Sequence, residues 1–339
     1  MQFILVSALI VILFLFAACN EINPAGAAEY TNPDYPSQEK GYFFCGDNPS
    51  DCCFAPFSSV VWISVPALNS LIYKDVSKAV VNPIVSNTLY LGFSPGLLTS
   101  PESGQFLYTS ISGSGDIYRI DTELLTYKKV YSCVSSVYTM ELSPGGELLY
   151  LGSQGAPWHV EAVSTDSWEQ VAWLSTDWPV YRLEVSPDNS LVAIGNSGRM
   201  EITILEAETL VPQDTLLMPM RTGTMAFTGD SRALVVLDAS QVNPCLIKVD
   251  VSTGEELYRS SPYNSYLTNC RIQGSNTLIL PRNSDKRISI LNMNNMIFAP
   301  SVALDFRPGE TCVSWDGEYI VTITRTASPG RATVFHYGE

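Results

Sequence analysis

From residue 41 onward the chain alternates short apolar stretches with clusters of Pro, Gly, Asn, Asp and Ser, and no 3.6-residue period persists beyond a turn or two. The alternation has a grammar. A first apolar stretch, such as YRLEV (Tyr181–Val185) or GTMAF (Gly223–Phe227), runs into a turn. A second leaves it, such as SLVAIG (Ser190–Gly195) or EYIVTI (Glu318–Ile323). A third alternates and often ends in Asp: LIYKD (Leu71–Asp75), DIYRID (Asp116–Asp121), CLIKVD (Cys245–Asp250). A fourth completes the unit, as in TYKKVYS (Thr126–Ser132) or EELYRS (Glu255–Ser260). These lengths suit strands, and the breaks carry turn chemistry. The first turn sets the register: SPGGE at Ser143, SPDNS at Ser186, TGDSR at Thr228, QGSNT at Gln273 and SWDGE at Ser314, with weaker copies APFSS at Ala55 and SPESG at Ser100. Successive anchors lie 41 to 45 residues apart, so seven units fill 41–339.

Four short strands in about 43 residues predict a β-propeller blade, and seven units predict an all-β, seven-bladed ring of four-stranded blades. The copies resemble the YVTN and WD40-like repeats of bacterial exported propellers, in which an SPDG-type turn precedes a strand and a further strand ends in Asp. The resemblance covers about 300 residues, although Asp–Gly survives whole only at Asp316–Gly317. It implies the fold and is nearly silent on activity. The last unit lacks a fourth strand after Tyr337, whereas KGYFFC (Lys40–Cys45) is a strand without a blade. Tyr42–Cys45 is therefore expected to supply the missing outer strand and close the ring, since an open edge would expose unpaired backbone donors and acceptors.

Residues 1–18 (MQFILVSALIVILFLFAA) are uncharged and apolar for sixteen residues from Phe3, interrupted only by Ser7. That length suits a signal-peptide core better than a membrane span. The run ends F-A-A-C, which resembles the lipobox of bacterial lipoproteins. Phe16 stands where Leu is usual, and no Lys or Arg precedes the run. The resemblance implies lipidation at Cys19, with residues 19–40, polar and rich in proline, as a tether to the propeller at 41–339.

Charge narrows the function. Asp and Glu number 34 against 19 Lys and Arg, a net charge of −15, so the surface repels phosphate backbones and no nucleic-acid partner is expected. His159 and His336 are the only histidines. Seven cysteines follow Cys19, enough for three disulfides in an exported chain; Cys45 could pair with Cys52 or Cys53, and Cys312 lies near Cys53 across the closure. No CxxC-type spacing occurs, so neither a metal nor a cofactor is expected. No GxSxG or phosphate-binding GxxxxGK[ST] motif is present.

Candidate binding residues come from the repeat. The loops between second and third strands share one face with the connections between blades. Arg199, Arg221, Arg282, Lys286, Arg287, Arg307, Arg325 and Arg331 map there and would hold an anionic ligand or acidic partner, unless Asp177, Asp285, Asp305 and Glu310 neutralise them. Glu141, Glu184, Arg182 and Arg271 fall on first strands, where they either line the channel mouth or pair between blades. Trp158, His159 and Trp178 fall in or beside the loop face, whereas Trp168 and Trp173 read as structural. Together these features favour a non-enzymatic recognition module, monomeric in its folded body. It would be anchored through Cys19 in the bacterial cell envelope, facing the periplasm or exterior, and bind a protein or envelope component. The alternative is a hydrolase of lactonase-like type, for which His159, Glu141 and Glu184 would have to converge.

Overall fold

The computed structural model describes residues 36–78, 86–102, 104–196, 198–238, 244–260, 270–271, 275–324 and 329–337. The signal segment, Cys19 and Arg325 lie outside them, as do the side chains of Cys270 and Arg271. Seven antiparallel sheets follow one another along the chain. Blade one runs from Asp51–Phe54 through Val60–Val65 and Ser70–Asp75 to Asn87–Tyr90, and the next four blades repeat that order outward. The first strands lie innermost, and those of blades one to five and seven surround a central cavity of about 440 Å³. Blade six departs in one respect. Its outer strand is split into Ile297–Phe298 and Val302–Ala303, both paired with Arg287–Asn292. The gap holds Pro300, which has no N–H to give the ladder.

The repeat anchors are hydroxyls with a job in the turn. Ser143, Ser186, Thr228 and Ser314 each accept, through the side-chain oxygen, the backbone N–H five residues on, at 2.9 to 3.1 Å. Ser186, Thr228 and Ser314 in turn donate to Asp188, Asp230 and Asp316 two residues later. The turn then needs a left-handed residue, and Gly146, Asn189, Ser231 and Gly317 all have φ between 58° and 82°. Asn and Ser tolerate that conformation well enough for the consensus Gly to be lost, which is why the motif reads so unevenly. The Asp ending many third strands makes a second turn: Asp121 accepts from the N–H groups of Glu123 and Leu124, and Asp250 from those of Ser252 and Thr253.

The seventh blade is sewn from both ends of the described chain. Thr311–Val313, Tyr319–Ile323 and Arg331–Tyr337 are completed by Pro36–Phe44, which pairs antiparallel with Arg331–Tyr337. The closing strand thus begins earlier than the expected Tyr42–Cys45. Cys45 lies just past its end and donates its N–H to Gly330. Phe43 is fully buried in the core between blades seven and one, together with Cys45, Cys52, Val61, Cys312 and Val321. Arg331 fastens the outer face of the seam, over the Tyr42 ring and paired to Glu39 at 2.7 Å. No helix among the described residues is long and apolar enough to cross a membrane.

Candidate metal centre

Between blades two and three, beneath the loop face, three Lewis bases converge. His159 opens the third strand of blade three (His159–Ser164), and Glu161 lies two residues on, so both side chains leave the same face of the sheet. Cys133 follows the outer strand of blade two, where its N–H bonds to Gly115 O at 2.8 Å. The backbones meet so closely there that a Cβ on Gly115 would stand 2.2 Å from Cys133 O, so only glycine fits. His159 is 0 %, Glu161 1 % and Cys133 8 % exposed. One ligand atom from each lies within 4.8 Å of the others.

The ring of His159 is held from every side. Trp173, on the neighbouring strand, stacks on it with centroids 3.8 Å apart at 13°. Nδ1 lies 2.8 Å from Pro157 O, an acceptor only, so Nδ1 carries a proton. Ser153 Oγ accepts the His159 backbone N–H at 2.8 Å. Nε2 faces Cys133 Sγ at 3.2 Å and Glu161 Oε1 at 3.6 Å. Tyr131 donates its hydroxyl to Glu161 Oε2 at 2.8 Å, whereas Oε1 is buried without a hydrogen bond. Burial, then the neighbouring Glu161 carboxylate, pushes the Cys133 thiol up to about 12. Burial alone would raise the Glu161 carboxyl as well, but His159, Cys133 and the Tyr131 hydroxyl outweigh it and hold the carboxyl below the usual carboxylate range.

His159 Nε2, Glu161 Oε1 and Cys133 Sγ thus converge in a dry site, where buried polar groups must share protons or a cation. A tetrahedral zinc with ordinary bond lengths places S and N about 3.6 Å apart and N and O about 3.4 Å apart. The separations here are 3.2 and 3.6 Å. Three protein ligands of this type leave a fourth position for water or substrate, the pattern of catalytic rather than structural zinc. The expectation of a non-enzymatic module is corrected by this centre, whose three groups could hold a metal ion. The missing CxxC spacing misled because the ligands come from two blades, 26 residues apart.

The other candidates fall elsewhere. Glu141, Arg182 and Glu184 line the central cavity with Asp51 and Glu310, so their place is the channel. His159 does not join Glu141 and Glu184. Across the ladder Glu141 pairs with Tyr150 and Tyr150 with Ala162, which puts His159 about 10 Å away laterally and about 10 Å further along the strand. Trp158 is 36 % exposed in the loop before His159, with Nε1 donating to Gln154 O. Trp178 is half-buried against the core between blades three and four, with Arg199 over its ring. The loop-face cations are largely answered: Arg199 pairs with Glu201, Arg282 with Asp285, Arg331 with Asp305, and Arg287 donates to Ser301. The six cysteines described with their side chains are free thiols. Cys133, Glu161 and Tyr131 escaped the sequence reading. The available signal was the H-x-E spacing on an alternating strand, beside a cysteine ending the strand of the blade before.

No family profile and no curated protein sequence matches the chain. Solved structures do match its shape. A chain of "Kuenenia stuttgartiensis Hydrazine Synthase" superposes with a TM-score of 0.71 at 14 % identity, over 87 % of this chain and 97 % of its own. A chain from "Crystal Structure of Mitotic Checkpoint Complex" gives 0.72 at 14 % identity, over 94 % and 98 %. At that identity the likeness shows the propeller fold alone, without the YVTN or WD40-like identity that the repeats suggest.

Proposed function

We propose that the protein is a metal-dependent hydrolase on a propeller frame, with Cys133, His159 and Glu161 holding a zinc-type divalent cation. The convergence of three buried ligand atoms within 4.8 Å of one another carries this reading. A bound zinc supplies Lewis acidity and an activated water. The chain's own residues do the rest. The Pro157 carbonyl fixes the His159 tautomer, Trp173 fixes the ring plane, and Tyr131 occupies one Glu161 oxygen so that the other is left for the metal. Ester and lactone substrates fit this class of chemistry.

The test is metal content of the purified protein, followed by hydrolysis of a lactone and ester panel with and without zinc. One equivalent of metal is expected, with turnover lost on chelation, restored by zinc and abolished in His159→Ala. Absence of bound metal overturns the centre, and bound metal without turnover overturns the enzyme. A lipid anchor at Cys19 and an envelope location complete the proposal, supported by the apolar run of 1–18 and its F-A-A-C ending. Partner binding on the loop face is the second reading, favoured by the exposed Trp158 beside the centre.

A further inference from the structure

The ring is closed a second time by chemistry that the metal centre does not use. Cys52 lies on the innermost strand of blade one and Cys312 on that of blade seven, 260 positions later in the chain. They belong to the same packed cluster at the seam, 5 % and 8 % exposed, on inner strands that pack against each other. Both also line the central cavity, so a small reagent in the channel reaches them without the blades parting. Cys53 also borders the cavity, but its side chain leaves the strand on the other face. Successive strand residues point to opposite faces, and Cys53 packs against the blade-two core with Leu71, Leu98 and Leu107. Cys45 shares the seam cluster and is buried, just past the end of the closing strand, and it is the competing partner for Cys52.

We propose that Cys52 and Cys312 form an oxidisable dithiol site, whose disulfide is a covalent clasp between the first and last blades. The reaction is exchange with a low-molecular-weight disulfide, RSSR. One protein thiolate attacks RSSR, forming a protein–SR mixed disulfide and expelling RS⁻. The other thiolate attacks the protein sulfur of that bond, forming Cys52–S–S–Cys312 and expelling a second RS⁻. The two thiol protons go to the two RS⁻ groups, so the protein loses two hydrogens and two electrons and RSSR becomes two RSH. The bond crosses the seam that Pro36–Phe44 closes by noncovalent contacts. Because it encloses nearly the whole ring in one loop, it restrains the unfolded chain strongly.

The experiment incubates the folded, full-length protein with oxidised glutathione and maps its disulfides by tandem mass spectrometry. A Cys52–Cys312 link is expected, reversed by dithiothreitol, with a melting temperature several degrees above the reduced form. Cys312→Ser and Cys52→Ala should each abolish the link and the melting shift, and Cys53→Ser should keep both. Should one of the first two variants fold poorly, the wild-type map and the other variant still decide the matter. A Cys45–Cys52 or Cys52–Cys53 bond, glutathione retained on either thiol, or both thiols still free after prolonged oxidation overturns the assignment. Metal content and hydrolytic turnover, measured in parallel, report on the Cys133 centre separately.

Discussion

Zinc affinity at the candidate centre should climb steeply with pH, and Cys133 sets the slope. The thiol is held at about 12, five units above neutrality. At pH 7 the thiol is protonated, and a metal that binds sulfur must displace the proton. Apparent affinity is therefore lowered at pH 7 and recovers about tenfold for each pH unit. Glu161 adds nothing to this slope, because its carboxyl is held below the ordinary range and is ionised throughout. Competition against a chromophoric zinc chelator from about pH 7.5 to 9 measures the slope directly. Cobalt substitution gives an independent view, through a thiolate-to-metal charge-transfer band that should rise with pH in step with affinity. Cys133→Ser should flatten the slope and remove the band. A wild-type affinity independent of pH, or the same slope in Cys133→Ser, would refute Cys133 as a ligand.

The closing strand offers a paired test. Phe43→Ala, which empties a fully buried position at the seam, should cost about 3–5 kcal/mol in urea unfolding, whereas Phe44→Ala, on the solvent side of the same strand, should cost under about 1 kcal/mol. Equal costs would mean that the strand does not sit in the described register. Ser186→Ala removes the acceptor for the Leu191 N–H at 2.9 Å from a buried turn, and a loss of about 1–3 kcal/mol is expected; no loss would show that the anchor hydroxyl is dispensable. Acid should destabilise the ring. Asp121, Asp230 and Asp250 are held below the ordinary carboxylate value, first by hydrogen bonds from Leu124, Thr228 and Ser252 respectively. Between the depressed folded values and the ordinary unfolded ones the unfolded chain binds more protons, so stability is full above the ordinary range and is lost as pH falls through the folded values. Urea midpoints unchanged from pH 7 to about pH 3 would contradict this.

The blades were legible because each rests on local chemistry. A hydroxyl at the anchor, a carboxylate two residues on and a left-handed residue next are all set within five positions, as at Ser186, Asp188 and Asn189. The weak copies at Ala55 and Ser100 lack this arrangement, and only the spacing revealed them. Ring closure was legible for a different reason, since an unpaired strand at one end matched a vacancy at the other. The metal centre was not legible. His159 and Glu161 share a strand face, but Cys133 joins them only because blade two stacks on blade three with its outer strand level with the start of a third strand. Contact between blades depends on their stacking, which a repeat period does not encode. The same limit hid the Cys52–Cys312 contact, for which spacing pointed instead to Cys53 across the closure.

The seam also governs how the molecule is made. Glu39 and Arg331 meet across 292 positions, so no part of the seventh sheet is complete until residues on both sides of that interval are present. Six sheets can assemble as the nascent polypeptide emerges, each from its own neighbourhood. The seventh waits for Arg331–Tyr337 to find Pro36–Phe44, a search whose cost grows with the span enclosed. A ribosome stalled before Arg331, or a translocating chain still threaded at that point, therefore carries an open seam with an apolar flank, exposed to proteolysis until that strand emerges.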